Sequence, residues 1–221
     1  MSAVLFGSIS TIADTSELQR QSFNKAFVAH GLDWSWDRED YLAMLDKSGG
    51  RNRIAAYAED RGEDVDADAV HATKSEIFQQ DLATADIDAR SGVVETIAEI
   101  KAQGMGVGLV TTTSRRNISA MLDALNPNLT VDVFDVIVDM TDVDERKPSG
   151  DAYEFALTTL GAKSDDCVAI EDNVDGVRAA QAAGIPCIAF PNQNTAGHDF
   201  GTADIRVEQV RFDQLSALIG K

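Results

Sequence analysis

Five short apolar runs constrain this chain more than any other feature: Ala3–Phe6, Val107–Val110, Phe134–Val138, Val168–Ile170 and Cys187–Phe190. Each is too short for a helix and is bounded by Gly, Asp, Thr or Pro, which predicts buried strands. Amphipathic patterns lie between the later runs. Tyr153, Ala156, Leu157 and Leu160 form one apolar stripe; Val174, Val177, Ala180 and Ala183 form another, closed by Gly184. Strands alternating with helices predict an α/β fold, a parallel sheet with helices on both faces.

One interval breaks the alternation. From Asp14 to Ala85 there is no strand pattern, only successive helices separated by turn signals. Asp14-Thr-Ser-Glu17 reads as a helix cap with a Glu reaching back to it, and Asp37-Arg-Glu-Asp40 as the start of the next helix. Gly31 and Gly62 read as helix stops. We therefore expect an all-helical cap domain over residues 14–85, inserted into an α/β core made of residues 1–13 and 86–221. The chain returns to the core near Arg90-Ser-Gly92. A length of 221 residues fits one domain with an insertion better than two domains of about 150 residues each.

Charge and composition exclude several classes of partner. With 37 acidic and 19 basic residues the net charge is −18. That argues against nucleic acids, which need a basic footprint, and against anionic membrane surfaces. No apolar run approaches the roughly 18 residues that span a bilayer. The start, Met-Ser-Ala-Val-Leu-Phe, has neither a basic n-region nor a cleavage site. Cys167 and Cys187 both sit in apolar runs, which predicts buried free thiols in a reducing compartment. His30, His71 and His198 fall into no metal-ligand spacing. The expectation is a cytoplasmic protein, monomeric or weakly dimeric.

In an open parallel sheet, ligands bind beyond the carboxyl ends of the strands. Gly7-Ser-Ile-Ser-Thr11 follows the first strand, Thr111-Thr-Thr-Ser114 the second and Glu171-Asp172-Asn173 the fourth, while Lys147-Pro148 precedes the helix that carries Tyr153. Hydroxyls, one ammonium and two adjacent carboxylates thus converge on one rim. Each alone has a structural explanation. Hydroxyls cap helices, Lys-Pro makes turns, and paired acids serve the positive end of a helix. Their conjunction, in this order, is harder to obtain from structural need alone.

In that order the motifs resemble those of the haloacid dehalogenase superfamily, in its helical-cap branch. That branch includes phosphoglycolate-phosphatase-like, β-phosphoglucomutase-like and xylulose-bisphosphate-phosphatase-like enzymes. The resemblance runs over essentially the whole chain. It implies a Rossmann-like core and Mg²⁺-dependent phosphatase or phosphomutase chemistry on a small phosphorylated metabolite. It places Thr111, with Thr112 beside it, and Lys147 at the phosphate-binding positions, and Glu171 and Asp172 at the magnesium site. In the cap, Ser48-Gly-Gly50-Arg51-Asn-Arg53 resembles the loop that such enzymes lower onto the substrate.

The first motif departs from the family pattern of Asp-x-Asp-Gly-Thr, in which the first Asp attacks phosphorus and binds Mg²⁺ and the second is the general acid and base. Ungapped alignment keeps Phe6, Thr11 and Asp14 in register and puts Gly7 at the nucleophile and Ile9 at the acid/base. Gly7 has no side chain and Ile9 no proton to give. A slip of one residue offers Ser8 and Ser10, forfeits Thr11 and Asp14, and leaves Ser8 with no evident base. For the metal there remain Asp172, Glu171 behind it and the Ile9 carbonyl, so Mg²⁺ is expected to be weak or absent.

With two negative charges removed, Lys147, the Thr111 hydroxyl and loop N–H groups could hold a phosphate or inorganic anion without metal. Alternatively, Lys147 simply neutralises Glu171 and Asp172. Arg51 and Arg53 stand either as surface charges or as ligands for a second phosphate, and Trp34 and Trp36 as local packing. The favoured expectation is a phospho-ligand-binding pseudo-phosphatase. The runner-up is an active sugar-phosphate phosphatase or phosphomutase using an unrecognised nucleophile such as Ser8. Haloacid dehalogenation needs the same missing Asp and drops out.

Overall fold

The computed structural model describes residues 1–45 and 49–220. Six strands, β1 (Ala3–Phe6), β2 (Gly106–Val110), β3 (Val136–Val138), β4 (Cys167–Glu171), β5 (Cys187–Ala189) and β6 (Ile205–Arg206), form one sheet in the order β3-β2-β1-β4-β5-β6. Every pairing is parallel; Phe6 stands opposite Leu109 on one side and Ile170 on the other. The strands are apolar throughout because both faces are covered. Val4, Phe6, Val168 and Ile170 pack with α6 (Val93–Ala102) and α7 (Arg115–Leu125). The alternate residues Ala3, Leu5, Cys167 and Ala169 pack with α8 (Asp151–Leu160) and α9 (Val174–Ala182).

Two strand expectations need correction. Val131–Val133 coils into a single 3-10 turn, so β3 starts at Val136 rather than at Phe134. The two-residue edge strand β6 was not expected, because two residues carry no period-2 signal. Cys167 and Cys187 are buried free thiols, and burial pushes the Cys167 thiol up to about 11. No helix among the described residues is long and apolar enough to cross a membrane.

Between β1 and β2 the described chain is helical: α1 (Ile9–Ile12), α2 (Ser16–Ala29), α3 (Arg38–Ala43), α4 (Gly50–Arg61) and α5 (Ala67–Leu82), then α6. Helices α2–α5 enclose their own aromatic core. The Trp36 ring lies 4.6 Å from that of Phe27 and 5.0 Å from that of Phe23, so Trp34 and Trp36 are packing residues. Asp37 caps α3 by accepting the Asp40 N–H at 2.8 Å. Gly31 (φ 68°) and Gly62 (φ 65°) terminate α2 and α4 in the left-handed region. The start of α2 differs from expectation. Asp14 Oδ1 accepts the Ser16 N–H and hydroxyl, whereas Glu17 turns sideways to Arg20 rather than back to a cap.

One side chain ties both crossings between the helices and the sheet. Arg90 donates to the carbonyls of Ser10 (3.0 Å), Phe190 (2.8 Å) and Pro191 (2.6 Å), with its guanidinium 3.4 Å above the Phe190 ring. Its own N–H donates to Ile12 O at 2.7 Å. Gln79 on α5 reaches Asn117 on α7 at 2.8 Å, and Arg38 on α3 reaches Asn194 at 3.2 Å. Replacing Arg90 by Met strands three carbonyls that a charged donor satisfied. We expect a loss of about 2–4 kcal/mol in urea unfolding followed by tryptophan fluorescence; an unchanged midpoint would refute this role.

Candidate functional site

The tips of β1, β2 and β4 meet at Gly7, Thr111 and Asp172. Immediately after Gly7 the chain turns into α1, and Ser8 caps it. The Ser8 Oγ accepts the N–H groups of Ser10 (2.9 Å) and Thr11 (3.1 Å), and Thr11 Oγ1 accepts the Ser8 N–H at 3.3 Å, a reciprocal capping box. Ile9 therefore opens a helix and buries its side chain beside Phe6 and Ile12. Its carbonyl accepts the Ala13 N–H at 3.0 Å. The Ile9 carbonyl expected to face a metal is thus engaged inside α1.

Glu171 fills the space at Gly7. A Cβ built on Gly7 would lie 2.0 Å from Glu171 Cδ and 2.5 Å from the Tyr153 hydroxyl; one built on Gly176 would lie 2.1 Å from the same Cδ. The carboxylate is wedged between two glycines, fully buried. Its Oε1 accepts Lys147 Nζ at 2.6 Å and the Tyr153 hydroxyl at 2.7 Å, while Oε2 has no hydrogen-bond partner among the described residues. Burial raises the Glu171 pKa, and the Lys147 ammonium opposes that rise. Burial beside Glu171 likewise drives the Tyr153 phenol well up.

Lys147 donates its other two protons to Gly7 O (2.5 Å) and Val110 O (2.7 Å). An ammonium has three protons, and all three are accepted by protein oxygens. In this geometry Lys147 is the charge partner of Glu171, and all three of its protons are engaged. Nearby, the Thr111 N–H donates to Val138 O and its Oγ1 accepts the Thr113 N–H at 3.3 Å. Ser114 caps α7 by accepting the Asn117 N–H.

Asp172 is 4 % exposed, and neutral donors cover both its oxygens. Oδ1 accepts the Ser8 hydroxyl at 2.7 Å and Asn173 Nδ2 at 3.1 Å; Oδ2 accepts Asn192 Nδ2 at 2.7 Å. The Thr195 hydroxyl closes the shell on the Asp172 carbonyl at 2.6 Å. Ser8, for which the sequence offered no base, therefore has a carboxylate beside it. Asn192 and Thr195 were not anticipated; their one sequence signal is that they follow directly on the fifth apolar run.

The Mg²⁺ that the family resemblance implies does not fit this donor set. Gly7 supplies no carboxylate, Glu171 turns inward to Lys147, and Asp172 presents hydrogen-bonded oxygens rather than bare ones. No group of three or more His, Cys, Asp or Glu among the described residues is placed to hold a metal ion.

A cleft of about 580 Å³ separates this floor from α2, α4 and α5. Gly50, Arg51 and Arg53 line it from the helical side; Ser48 lies outside the described residues. A side chain at Gly50 would come within 2.8 Å of the Phe23 ring and 2.9 Å of His71 Nε2, so glycine permits that close approach. Arg51 forms an exposed pair with Asp68 at 2.9 Å. Arg53 lies over the Tyr41 ring and donates to Met44 O.

The same side also carries His71 and Lys74, one helical turn apart. Burial pulls His71 down to about 4 and Lys74 to about 7, and the Arg53 charge adds to both effects. Lys74 Nζ sits between the rings of Phe23 (4.8 Å) and Phe78 (4.9 Å) and has one oxygen acceptor among the described residues, Gln19 Oε1 at 2.9 Å. Sequence reading passed over it. The available signal was a lysine inside the apolar i, i+4 stripe Val70, Lys74, Phe78, Leu82.

The model of the haloacid dehalogenase-like hydrolase family matches residues 10–190. The chain is 38 % identical to the protein CbbY of Cereibacter sphaeroides over 99 % of its own length and 95 % of that protein's. Against CbbY of Rhodobacter capsulatus the identity is 36 %, covering 94 % and 92 % of the two chains. Among solved structures, CbbY from Rhodobacter sphaeroides in complex with phosphate superposes with a TM-score of 0.88 at 37 % identity, covering 95 % of this chain and 94 % of that one. A variant of that protein in complex with xylulose-(1,5)bisphosphate gives the same figures.

Removing one partner of a buried ion pair leaves the other uncompensated. Lys147→Met is expected to cost about 3–5 kcal/mol in chemical denaturation, and adding Glu171→Leu to recover most of it. Lys74 makes the opposite prediction. Its folded pKa, about 7, lies below the unfolded value of roughly 10.4, so the unfolded chain binds the extra proton across that window and stability rises with pH through it. Lys74→Met should therefore raise the melting temperature at pH 7, and the gain should shrink by pH 10; no gain at pH 7 would show that burying this amine costs nothing.

Proposed function

The chain belongs to the haloacid dehalogenase-like hydrolases, and from that premise we propose that it binds a small sugar phosphate in its cleft without hydrolysing it. The observation that carries this reading is the Glu171 carboxylate standing where an attacking side chain would need to be. Deleting the nucleophile of a covalent hydrolase lowers turnover on the order of 10⁶-fold. Here the general acid is also absent, since Ile9 is an apolar helix residue. The ligand class is supported by the complexes of CbbY with phosphate and with xylulose-(1,5)bisphosphate. Residues 14–85 would act as the cap that closes over the ligand and screens it by size, and the two buried thiols suit a reducing cytoplasm.

A second reading has one observation in its favour. The Ser8 hydroxyl donates to Asp172 at 2.7 Å, the arrangement of a nucleophile beside a base. The same oxygen accepts two backbone N–H groups, so turning it toward a phosphorus atom would undo the cap of α1.

A panel of phosphate monoesters and bisphosphates with Mg²⁺ separates the readings. Wild type is expected at background, and Gly7→Asp alone should not restore turnover, because Glu171 holds the space and Ile9 still offers no proton. Robust wild-type hydrolysis, abolished by Ser8→Ala or Asp172→Ala, would overturn the binding reading in favour of the serine.

A further inference from the structure

Two lysines are buried at the cleft, and they differ in how they are held. Lys147 gives its three protons to protein oxygens and pairs with Glu171. Lys74 donates to one neutral acceptor, Gln19 Oε1, and forms no ion pair among the described residues. It is 3 % exposed and lines the cleft from the helical side. The rings of Phe23 on α2 and Phe78 on α5 flank its Nζ and shield it from water. A buried ammonium without a counter-ion carries a desolvation cost that the neutral amine avoids.

The charges around the cleft act in the same direction. Arg53 lies on the helical side with Lys74, and Arg116 and Arg146 enter from the core side. Of the carboxylates lining the cleft, Asp68 is held by Arg51, Asp172 by neutral donors, and Glu76 is exposed. Burial and the Arg53 charge bring Lys74 down to about 7. Roughly half of the molecules therefore present a free lone pair at neutral pH, against about one in 10³ for an ordinary exposed lysine. An amine desolvated between apolar walls near another cation has the setting of an activated nucleophile.

We propose that the Lys74 amine captures the carbonyl group of an open-chain sugar phosphate as a reversible imine. The proposal rests on the binding reading above, which brings the ligand into the cleft, and adds that the ligand carries a free ketone or aldehyde. The Nζ lone pair attacks the carbonyl carbon, and the electrons of the carbon–oxygen double bond move onto oxygen. Both protons of the neutral amine then pass to that oxygen, which leaves as water while the carbon–nitrogen double bond forms. No oxidant, reductant or further reactant is consumed. Pentuloses esterified at the terminal oxygen suit this step, because the oxygen that would close a ring onto the ketone is blocked.

Reductive trapping of the full chain at pH 7, with a chelator present, tests the proposal. Ribulose 5-phosphate is the probe, and cyanoborohydride converts any imine into a stable secondary amine for peptide mapping by mass spectrometry. The Lys74 peptide should carry at least about tenfold more adduct than the peptides of the exposed Lys25 and Lys163, whose amines are almost wholly protonated at that pH. Ribitol 5-phosphate, which lacks the carbonyl, should give no adduct and in excess should lower the labelling of Lys74. Lys74→Arg, which keeps the charge, and Lys74→Met should both reduce total labelling to the level of the exposed lysines. Calorimetry with ribulose 5-phosphate separates the two ways of failing. Binding heat without a Lys74 adduct, or with labelling spread evenly over the exposed lysines, would overturn the imine and leave the binding reading standing. Neither heat nor adduct would defeat both.

Discussion

The buried pair of Lys147 and Glu171 decides what the strand tips can do. Lys147 reaches across the ends of three strands, holding Gly7 O at the end of β1, Val110 O on β2 and the Glu171 carboxylate on β4. An ion pair so enclosed is stable because both members are compensated by each other and by added hydrogen bonds, Tyr153 supplying one of them. In this arrangement all three Lys147 protons are accepted by protein oxygens. Neutral donors likewise satisfy both oxygens of the Asp172 carboxylate.

Much of the fold was legible in the sequence because parallel sheets bury both faces, and the resulting apolar runs stand out. The runs at Ala3, Val107, Val168 and Cys187 became strands within a residue or two of their expected limits. The edge strand at Ile205 was invisible for the converse reason: two half-solvated residues leave no pattern. Asp37 and Gly62 were readable as helix punctuation because capping is a local event. Asp14 and Glu17 were not, since Arg20 competed for Glu17 from one turn away.

At the candidate site, motif positions were legible and their partners were not. Gly7 announced a missing side chain, but nothing in the order of residues shows Glu171 moving into the gap, because that is a question of volume. The roles of Ser8 and Asn192 depend on loops distant in sequence meeting at Asp172. Lys74 looked like one more charge on a helix. Its significance lies in the two rings beside it, contributed by different helices.

The slot between Gly7 and Gly176 bears on which mutational routes are open to this chain. Enlarging either glycine forces one interior carboxyl group to relocate, and relocation strands the ammonium that it balances. Substitutions at positions 7, 147, 171 and 176 should therefore be strongly epistatic, each acceptable only in the company of another. A lineage that carries such a plug cannot retrace its steps one residue at a time, and a change of role at this spot behaves as a ratchet.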